Sequence, residues 1–464
     1  MSPQIILYGC YAVVGWVLRK DMQWRKAGSW ALLIPGIWLA IQGSRPISYW
    51  FGGQIGESSL DANPINTLIF TGLLLAALII LSRRSINWAL FIRHNKMLCL
   101  IYFNLALSAL WSEMPMISFK RVIKDFGCVL MALVYLTEPN PAETVRTIFV
   151  RVSYLLFPLS VVFIKFFPDI GRQFSHAGEA MFTGITLQKN SLGELVFVFG
   201  VMIVWDLVEI SKQEPRPGKK FQMGLRVLLF LIGFWLLRMC DSQTSLLCLT
   251  IGLAILWGSA KVVKMRQGRK VLIACIVFVI CLAALDQTIG LKDMIIRAMG
   301  RNPTLTGRTD IWKLVLRQNT DPILGSGFYT FWDSSKGQAV MDAFMKINEA
   351  HNGYLEMYVD GGIVGDILLC MLLVAGGRRA IDGLFAGALG KVGLIFWVLP
   401  IIYNWSETSF FRLDLLWFTF LLVTIDYPMQ RAEAAVVETV EDDQAGNEPE
   451  SITTPSAEAA PANG

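Results

Sequence analysis

Long apolar runs recur along almost the whole chain, and short polar connectors separate them. Most are close to the roughly 20 residues that a helix needs to cross about 30 Å of hydrocarbon. They lack the alternation that is typical of membrane β-barrel strands. The pattern therefore predicts an all-α fold, a polytopic membrane helical bundle of about 12–13 transmembrane helices. The predicted spans lie near residues 4–18, 30–43, 65–82, 97–111, 122–136, 147–167, 191–208, 226–240, 244–260, 271–289, 354–375, 391–405 and 413–425.

The polar stretches divide the chain into four parts. Residues 1–289 are expected to form an N-terminal transmembrane bundle, and residues 354–427 the C-terminal transmembrane helices. Between them, residues 290–353 form a large extramembrane loop that is expected to contain short helices. Residues 428–464 carry eight acidic residues and one arginine, which predicts a disordered acidic tail.

The composition agrees with a membrane protein, since 54% of the residues are hydrophobic and 17% are charged. The cysteines show no metal-ligand spacing, and no P-loop or soluble nucleotide-binding domain is present, so neither a metal nor a cofactor is expected. The net charge of +5 is spread over loops, which argues against a nucleic-acid partner.

Basic residues gather in alternate connectors, for example at residues 83–84, 219–220 and 378–379. The positive-inside bias predicts that these connectors are cytoplasmic, together with the tail. The remaining connectors, including the long loop, are then expected to face outward.

The long outward loop contains a short helix pattern. Thr306 or Gly307 could cap this helix, with Asp310 in its first turn. Arg308 falls at the helix start, where free backbone N–H groups and a guanidinium together suit a diphosphate. The alternative is that Arg308 anchors lipid headgroups or pairs with a loop carboxylate.

The loop closes at His351, directly before an apolar helix. Here a base that titrates near neutral pH could take the proton of a sugar hydroxyl, with Asn352 and Glu356 as candidate substrate-binding neighbours. A histidine at this place can also be a simple interfacial residue. Further along, Gly361 and Gly365 have the spacing of a close helix contact.

A second outward segment, GITLQKNSLGE, carries a helix-start signal. Ser191 and Glu194 match the spacing of a capping box, which predicts a helix with its positive end outward. Lys189 and Asn190 precede it and are candidate phosphate ligands. A lysine at this position can also simply mark the membrane boundary.

Other candidates lie near the outward face. Arg238 is placed about one turn inside a span, where it either snorkels outward or joins an anionic pocket with Ser242 in the following turn. Arg172 is a further binding candidate, and His176 lies close to it in the sequence.

The ordered motifs GRTDIW, DPILGSGF and EAHNGYLEMYVDGGIVG resemble the core signature of the O-antigen ligase and polysaccharide polymerase (Wzy-type) superfamily. Upstream, WSEMPMISFKR and GITLQKNSLG are similar to segments of its exopolysaccharide polymerase (ExoQ-like) branch, and residues 404–407 are similar to a polar break before the family's last span. The resemblance implies a GT-C-like glycosyltransferase of the bacterial inner membrane. It would use a polyprenyl-diphosphate-linked oligosaccharide on the periplasmic side, without a metal ion.

The resemblance also implies residue roles and partners. Arg308 would hold the diphosphate, His351 would activate or orient the acceptor hydroxyl, and Lys189 would add to the anion pocket. Many ligases carry a Ser-Arg pair where this chain has Ser242 and Gln243, so one basic contact is missing. The expected partners are the lipid-linked oligosaccharide, membrane lipids and other polysaccharide-assembly proteins.

Three functions are compatible with these features. The first is a polymerase of lipid-linked repeat units, and the second is a ligase that transfers the glycan to lipid A core. The third is a non-enzymatic transporter of the lipid-linked sugar. Carboxylates in or beside the spans, such as Asp206, would suit a transporter, but the charges that it predicts at inverted-repeat positions are missing. The upstream resemblance favours the polymerase.

Overall fold

A computed structural model describes residues 2–25, 28–51, 63–174, 178–270, 272–274, 308–343, 347–386 and 389–427. Most of the predicted span at 271–289, the first part of the long loop at 290–307, His176 and the tail at 428–464 lie outside the described residues. The described helices are α1 (Pro3–Trp24), α2 (Leu33–Gln42), α3 (Ile47–Trp50), α4 (Pro64–Ser82), α5 (Trp88–His94), α6 (Lys96–Ser108), α7 (Pro115–Leu136), α8 (Pro141–Phe166), α9 (Pro168–Gly171), α10 (Lys189–Lys212), α11 (Lys219–Cys240), α12 (Gln243–Lys264), α13 (Arg308–Leu316), α14 (Ser335–Ala343), α15 (Gly353–Ala386), α16 (Gly390–Tyr403) and α17 (Leu415–Thr424). The strands β1 (Arg172–Phe174) and β2 (Ala180–Phe182) form an antiparallel ribbon.

Every predicted span within the described residues coincides with helical structure. Six described helices are long and apolar enough to cross a membrane, namely α4, α8, α10, α11, α12 and α15. Four shorter apolar helical segments accompany them, at Trp30–Gln42, Lys96–Trp111, Gly390–Tyr403 and Leu415–Thr424. The predicted polytopic helical membrane fold is confirmed.

The centre of the bundle is formed by α10 and α17, because almost every residue of α17 and most residues of α10 are buried. In contrast, α4 exposes Leu68, Leu75 and Ile79. Apolar side chains on the outside of a long helix are expected to face lipid. The polar ends of α10 and α17 are thereby brought to the middle of the molecule.

The helix α15 breaks at Gly362, whose backbone has φ 60° and ψ −163°. The freed N–H groups donate to the preceding loop: Ile363 to the carbonyl of Pro322 at 2.9 Å and Val364 to the carbonyl of Ile323 at 3.3 Å. A Cβ at Gly362 would lie 2.2 Å from the carbonyl oxygen of Ile323. This break fastens the loop to the bundle.

The predicted close helix contact at Gly361 and Gly365 is wrong in its position. The nearest atoms to the side-chain faces of both glycines belong to Met357 of the same helix. The close approach occurs at Gly362 instead, because a backbone with positive φ leaves the helix there and meets a loop.

Candidate functional site

Arg308 is the first described residue of α13, and the residues that were predicted to cap this helix lie outside the described part of the chain. Ile311 and Val315 of this helix are buried, so they fix its position in the loop. The Arg308 Nη2 donates to Glu407 Oε1 at 2.7 Å, and Nη1 donates to the carbonyl of Ser406. The guanidinium is therefore held against the connector between α16 and α17.

His351 reaches the same connector from the other end of the loop. Its Nδ1 lies 3.1 Å from Glu349 Oε1 and 3.3 Å from Glu407 Oε2. The backbone of His351 has φ 50°, a left-handed conformation that non-glycine residues rarely adopt. Strain of this kind persists only where the surroundings enforce it, and it is frequent at functional sites.

Two hydrogen bonds hold the backbone of Ala350, the residue directly before His351. Trp312 Nε1 in α13 donates to the carbonyl of Ala350 at 2.8 Å, and the Ala350 N–H donates to Glu356 Oε1 at 2.6 Å. Since Trp312 follows Arg308 by one helical turn, the same short helix positions both Arg308 and the segment that carries His351.

Gly353 lets this segment approach Glu407. The Gly353 N–H lies 2.9 Å from the carbonyl of Asn404 and 3.0 Å from the carbonyl of Glu407. A Cβ at Gly353 would lie 1.9 Å from the Asn404 side-chain oxygen. That oxygen also accepts from the N–H groups of Ser409 and Phe410, at 2.8 and 3.0 Å.

Asn190 joins the cluster from α10. Its Nδ2 donates to Glu407 Oε1 at 2.9 Å, so Glu407 contacts side chains from three distant parts of the chain. The predicted capping box is wrong, because α10 begins at Lys189 and not after Ser191. Glu194 does not cap its own helix, since it points into the core and accepts from the N–H of Leu416 at 2.9 Å.

The charges of this cluster support one another. Burial alone would lower the pKa of His351, but Glu349 and Glu407 outweigh burial and raise it above its ordinary value. For Glu407, burial favours the neutral acid, but His351 and Arg308 outweigh this and lower its pKa. Glu407 is therefore an ionised carboxylate that lies between Arg308 and His351.

A cavity of about 940 Å³ lies directly beside Glu407. Its polar lining residues include Asn190, Glu349, Glu407, Arg121 and Arg412. Aromatic side chains also line it, including Tyr49, Tyr329, Trp332, Tyr403 and Phe411. Aromatic faces combined with carboxylate and amide groups are able to pack against sugar rings and bond their hydroxyls.

Glu356 and Asn352 stand next to His351 but already have partners. Glu356 Oε2 lies 2.7 Å from Arg412 Nη2, and both its oxygens accept from Trp332 Nε1. Asn352 Oδ1 accepts from the N–H groups of Tyr354 and Leu355, both at 3.1 Å. Glu356 lines the cavity, whereas Asn352 caps α15.

The other candidates are placed around this centre. Lys189 is half-buried and Arg238 is exposed, and neither makes a hydrogen bond or ion pair with the described part of the chain. Ser242 is buried and contacts Ser245 Oγ at 2.9 Å. Arg172 lies in β1, where its Nε donates to the carbonyl of Ile164 at 2.9 Å. Arg308, His351 and Asn190 thus meet, whereas none of these four contacts Glu407.

The sequence alone does not single out the residue at the centre of the cluster. Glu407 belongs to the polar break before the last span, and Glu349 and Arg121 belong to the quoted motifs without a predicted role. The available signal was that Glu349 precedes His351 by two residues. Among the described residues, no group of three or more His, Cys, Asp or Glu side chains is arranged to hold a metal ion.

Comparisons with known proteins agree with the motifs. Residues 228–370 match a family model described as O-antigen ligase. The chain is also 27% identical over 276 residues to the exopolysaccharide production protein ExoQ of Rhizobium meliloti (strain 1021). That match covers 57% of this chain and 60% of the relative. The resemblance of this chain to the O-antigen ligase and polysaccharide polymerase superfamily, on its ExoQ-like side, is confirmed.

Proposed function

We propose that this protein is a membrane glycosyltransferase that joins polyprenyl-diphosphate-linked repeat units into an exopolysaccharide on the periplasmic side. One observation carries the proposal: Arg308 and His351, which lie 43 positions apart and were predicted for different roles, both contact Glu407 beside the large cavity. The name of the ExoQ relative, an exopolysaccharide production protein, is consistent with this product.

Arg308 is suited to the leaving group. A guanidinium has five N–H donors, and Ser406 and Glu407 accept from two of its nitrogens. The remaining donors are able to bond diphosphate oxygens and so stabilise the negative charge that develops as the sugar–phosphate bond breaks. Lys189, half-buried in the first turn of α10, is the proposed second cation.

His351 is suited to the acceptor. Glu349 and Glu407 face its Nδ1, so a neutral ring with its proton on Nδ1 has Nε2 free to accept a proton. The acceptor hydroxyl would give this proton to Nε2 as its oxygen bonds to the anomeric carbon of the donor. The bond from that carbon to the diphosphate breaks, and polyprenyl diphosphate leaves with the electron pair.

A ligase is the second candidate, because the matched family model carries the description O-antigen ligase. The chemistry would be the same, and only the acceptor would differ. A non-enzymatic transporter remains the candidate from another class.

The test is reconstitution of the full chain with a polyprenyl-diphosphate repeat unit. The proposal predicts a ladder of products with release of polyprenyl diphosphate. It also predicts that His351→Ala and Arg308→Ala form no such ladder. Arg317→Ala is the matched control, because this exposed arginine directly follows α13 and does not contact Glu407. A single transfer to lipid A core would support the ligase. Lipid translocation without release of polyprenyl diphosphate would contradict the proposal that the protein is a glycosyltransferase.

A further inference from the structure

The end of the bundle away from Glu407 holds a cluster of buried charges that the proposed reaction does not use. Asp206 of α10 belongs to it and lies about 24 Å along the helix from Asn190, at 1.5 Å per residue. In the described part of the chain, the cluster consists of Asp21, Arg25, Arg146, Arg151, Asp206 and Arg226.

These side chains carry an excess of positive charge. Arg226 is fully buried between the two aspartates, 3.1 Å from Asp21 Oδ1 and 3.0 Å from Asp206 Oδ2. Arg25 Nη2 lies 2.5 Å from Asp206 Oδ1, and Arg151 Nε lies 2.8 Å from Asp21 Oδ2. Four arginines thus contact two aspartates, and Glu143 and Glu209 act as further counter-charges for Arg146. Arg146 is the arginine of this group that has room for an additional partner, because it also lines a cavity.

Arg146 is the least satisfied of the four. Its Nη1 lies 3.6 Å from Asp206 Oδ1, which is beyond hydrogen-bond distance. This buried nitrogen has no hydrogen-bond acceptor among the described residues. The guanidinium packs over the ring of Trp205, 5.4 Å from its centroid. A donor group is therefore available next to an aromatic wall.

A cavity of about 250 Å³ lies at Arg146, where α8, α10, α15 and α16 converge. Lys212 and Lys391 line it with Arg146, and Glu209 is its one lining carboxylate within the described residues. Glu209 pairs with Lys212 at 2.7 Å. Lys391 is half-buried and makes no hydrogen bond or ion pair with the described part of the chain. The lining of the cavity is therefore positive.

The start of α16 adds to this potential. The helix begins at Gly390, which also lines the cavity, and its N-cap residue Leu389 makes no side-chain hydrogen bond to the first turn. Free N–H groups at a helix start carry partial positive charge, so a lysine at this place is electrostatically unfavourable without an anion.

We propose that this cavity binds a phosphate-bearing anion through Arg146, Lys212 and Lys391. Basic pockets between membrane helices suit the headgroup of an anionic phospholipid, and the same contacts would accept free phosphate. The site is separate from Glu407, so it would act as a second contact with the membrane or with phosphate rather than in glycosyl transfer.

The test measures binding to the full chain, purified in detergent and stripped of lipid. The probes are phosphatidylglycerol, inorganic phosphate, and diacylglycerol, which lacks the phosphate. We expect phosphatidylglycerol to bind, and Lys391→Gln to weaken its binding about fivefold, as for the loss of one basic contact near a headgroup. Lys261→Gln is the matched control, because this exposed lysine lies in the last turn of α12 and does not line the cavity.

Two results support the proposal and differ in the source of the phosphate. If only phosphatidylglycerol binds, the ligand is a lipid headgroup. If inorganic phosphate also binds, and Lys391→Gln weakens its binding by the same factor, the ligand is free phosphate. Equal binding of diacylglycerol, no binding of either phosphate compound, or wild-type affinity in Lys391→Gln would overturn it. None of these readouts needs glycosyl transfer, so they are independent of the proposed activity.

Discussion

At His351, two carboxylates from different segments set the charge of one imidazole. Glu349 and Glu407 raise its pKa despite burial. A base has to be neutral to accept a proton, so the proposed reaction needs a pH above this raised value. The ion pairs of protonated His351 stabilise the fold below the ordinary histidine pKa of about 6.5, and this contribution is lost as the pH rises through the raised pKa.

Replacing one carboxylate should therefore shift the pH profile. In Glu349→Gln, the pKa of His351 is expected to fall toward its ordinary value, so the acidic limb of kcat/KM moves to lower pH. The measurement is the pH dependence of repeat-unit consumption by reconstituted protein. An acidic limb at the wild-type position would show that His351 does not act as the titrating base.

At the scale of elements, the break of α15 is a specific structural requirement. Gly362→Ala places a Cβ against the carbonyl of Ile323 and forces a side chain into a positive φ. We expect a loss of stability of about 1–3 kcal/mol, measured by thermal unfolding in detergent. Gly383→Ala in the same helix is the control, because a Cβ there meets nothing within 4 Å. Equal stability of the two variants would contradict this role of Gly362.

The apolar runs predicted the described helices because a helix that crosses a membrane must satisfy its own backbone and present apolar side chains outward. Local signals did worse where tertiary contacts compete with them. Glu194 has the spacing of a capping box but accepts a hydrogen bond from the start of α17 instead. The helix α15 breaks at Gly362, where no motif predicts a break. Both outcomes depend on which distant segment approaches the glycine or the carboxylate.

At the scale of the whole molecule, the candidate site could be predicted in its parts but not in its assembly. The motifs indicated Arg308 and His351, and the helix-start segment indicated Asn190. Their common partner Glu407 is 99 positions from Arg308 and 217 from Asn190. No periodicity or local pattern reports contacts at such separations, so only the fold brings these side chains together.

Glu407 therefore gives the most direct test of the account. Glu407→Gln removes the carboxylate charge that Arg308 and His351 both contact, while the shape of the side chain remains. We predict that the polymerisation rate of the reconstituted protein falls on the order of 10²-fold. Glu138→Gln is the control, because Glu138 is a buried carboxylate paired with Arg84 and does not line the cavity. This control should keep the wild-type rate. A product ladder formed by Glu407→Gln at the wild-type rate would contradict the proposal that Glu407 joins Arg308 and His351 into one catalytic site.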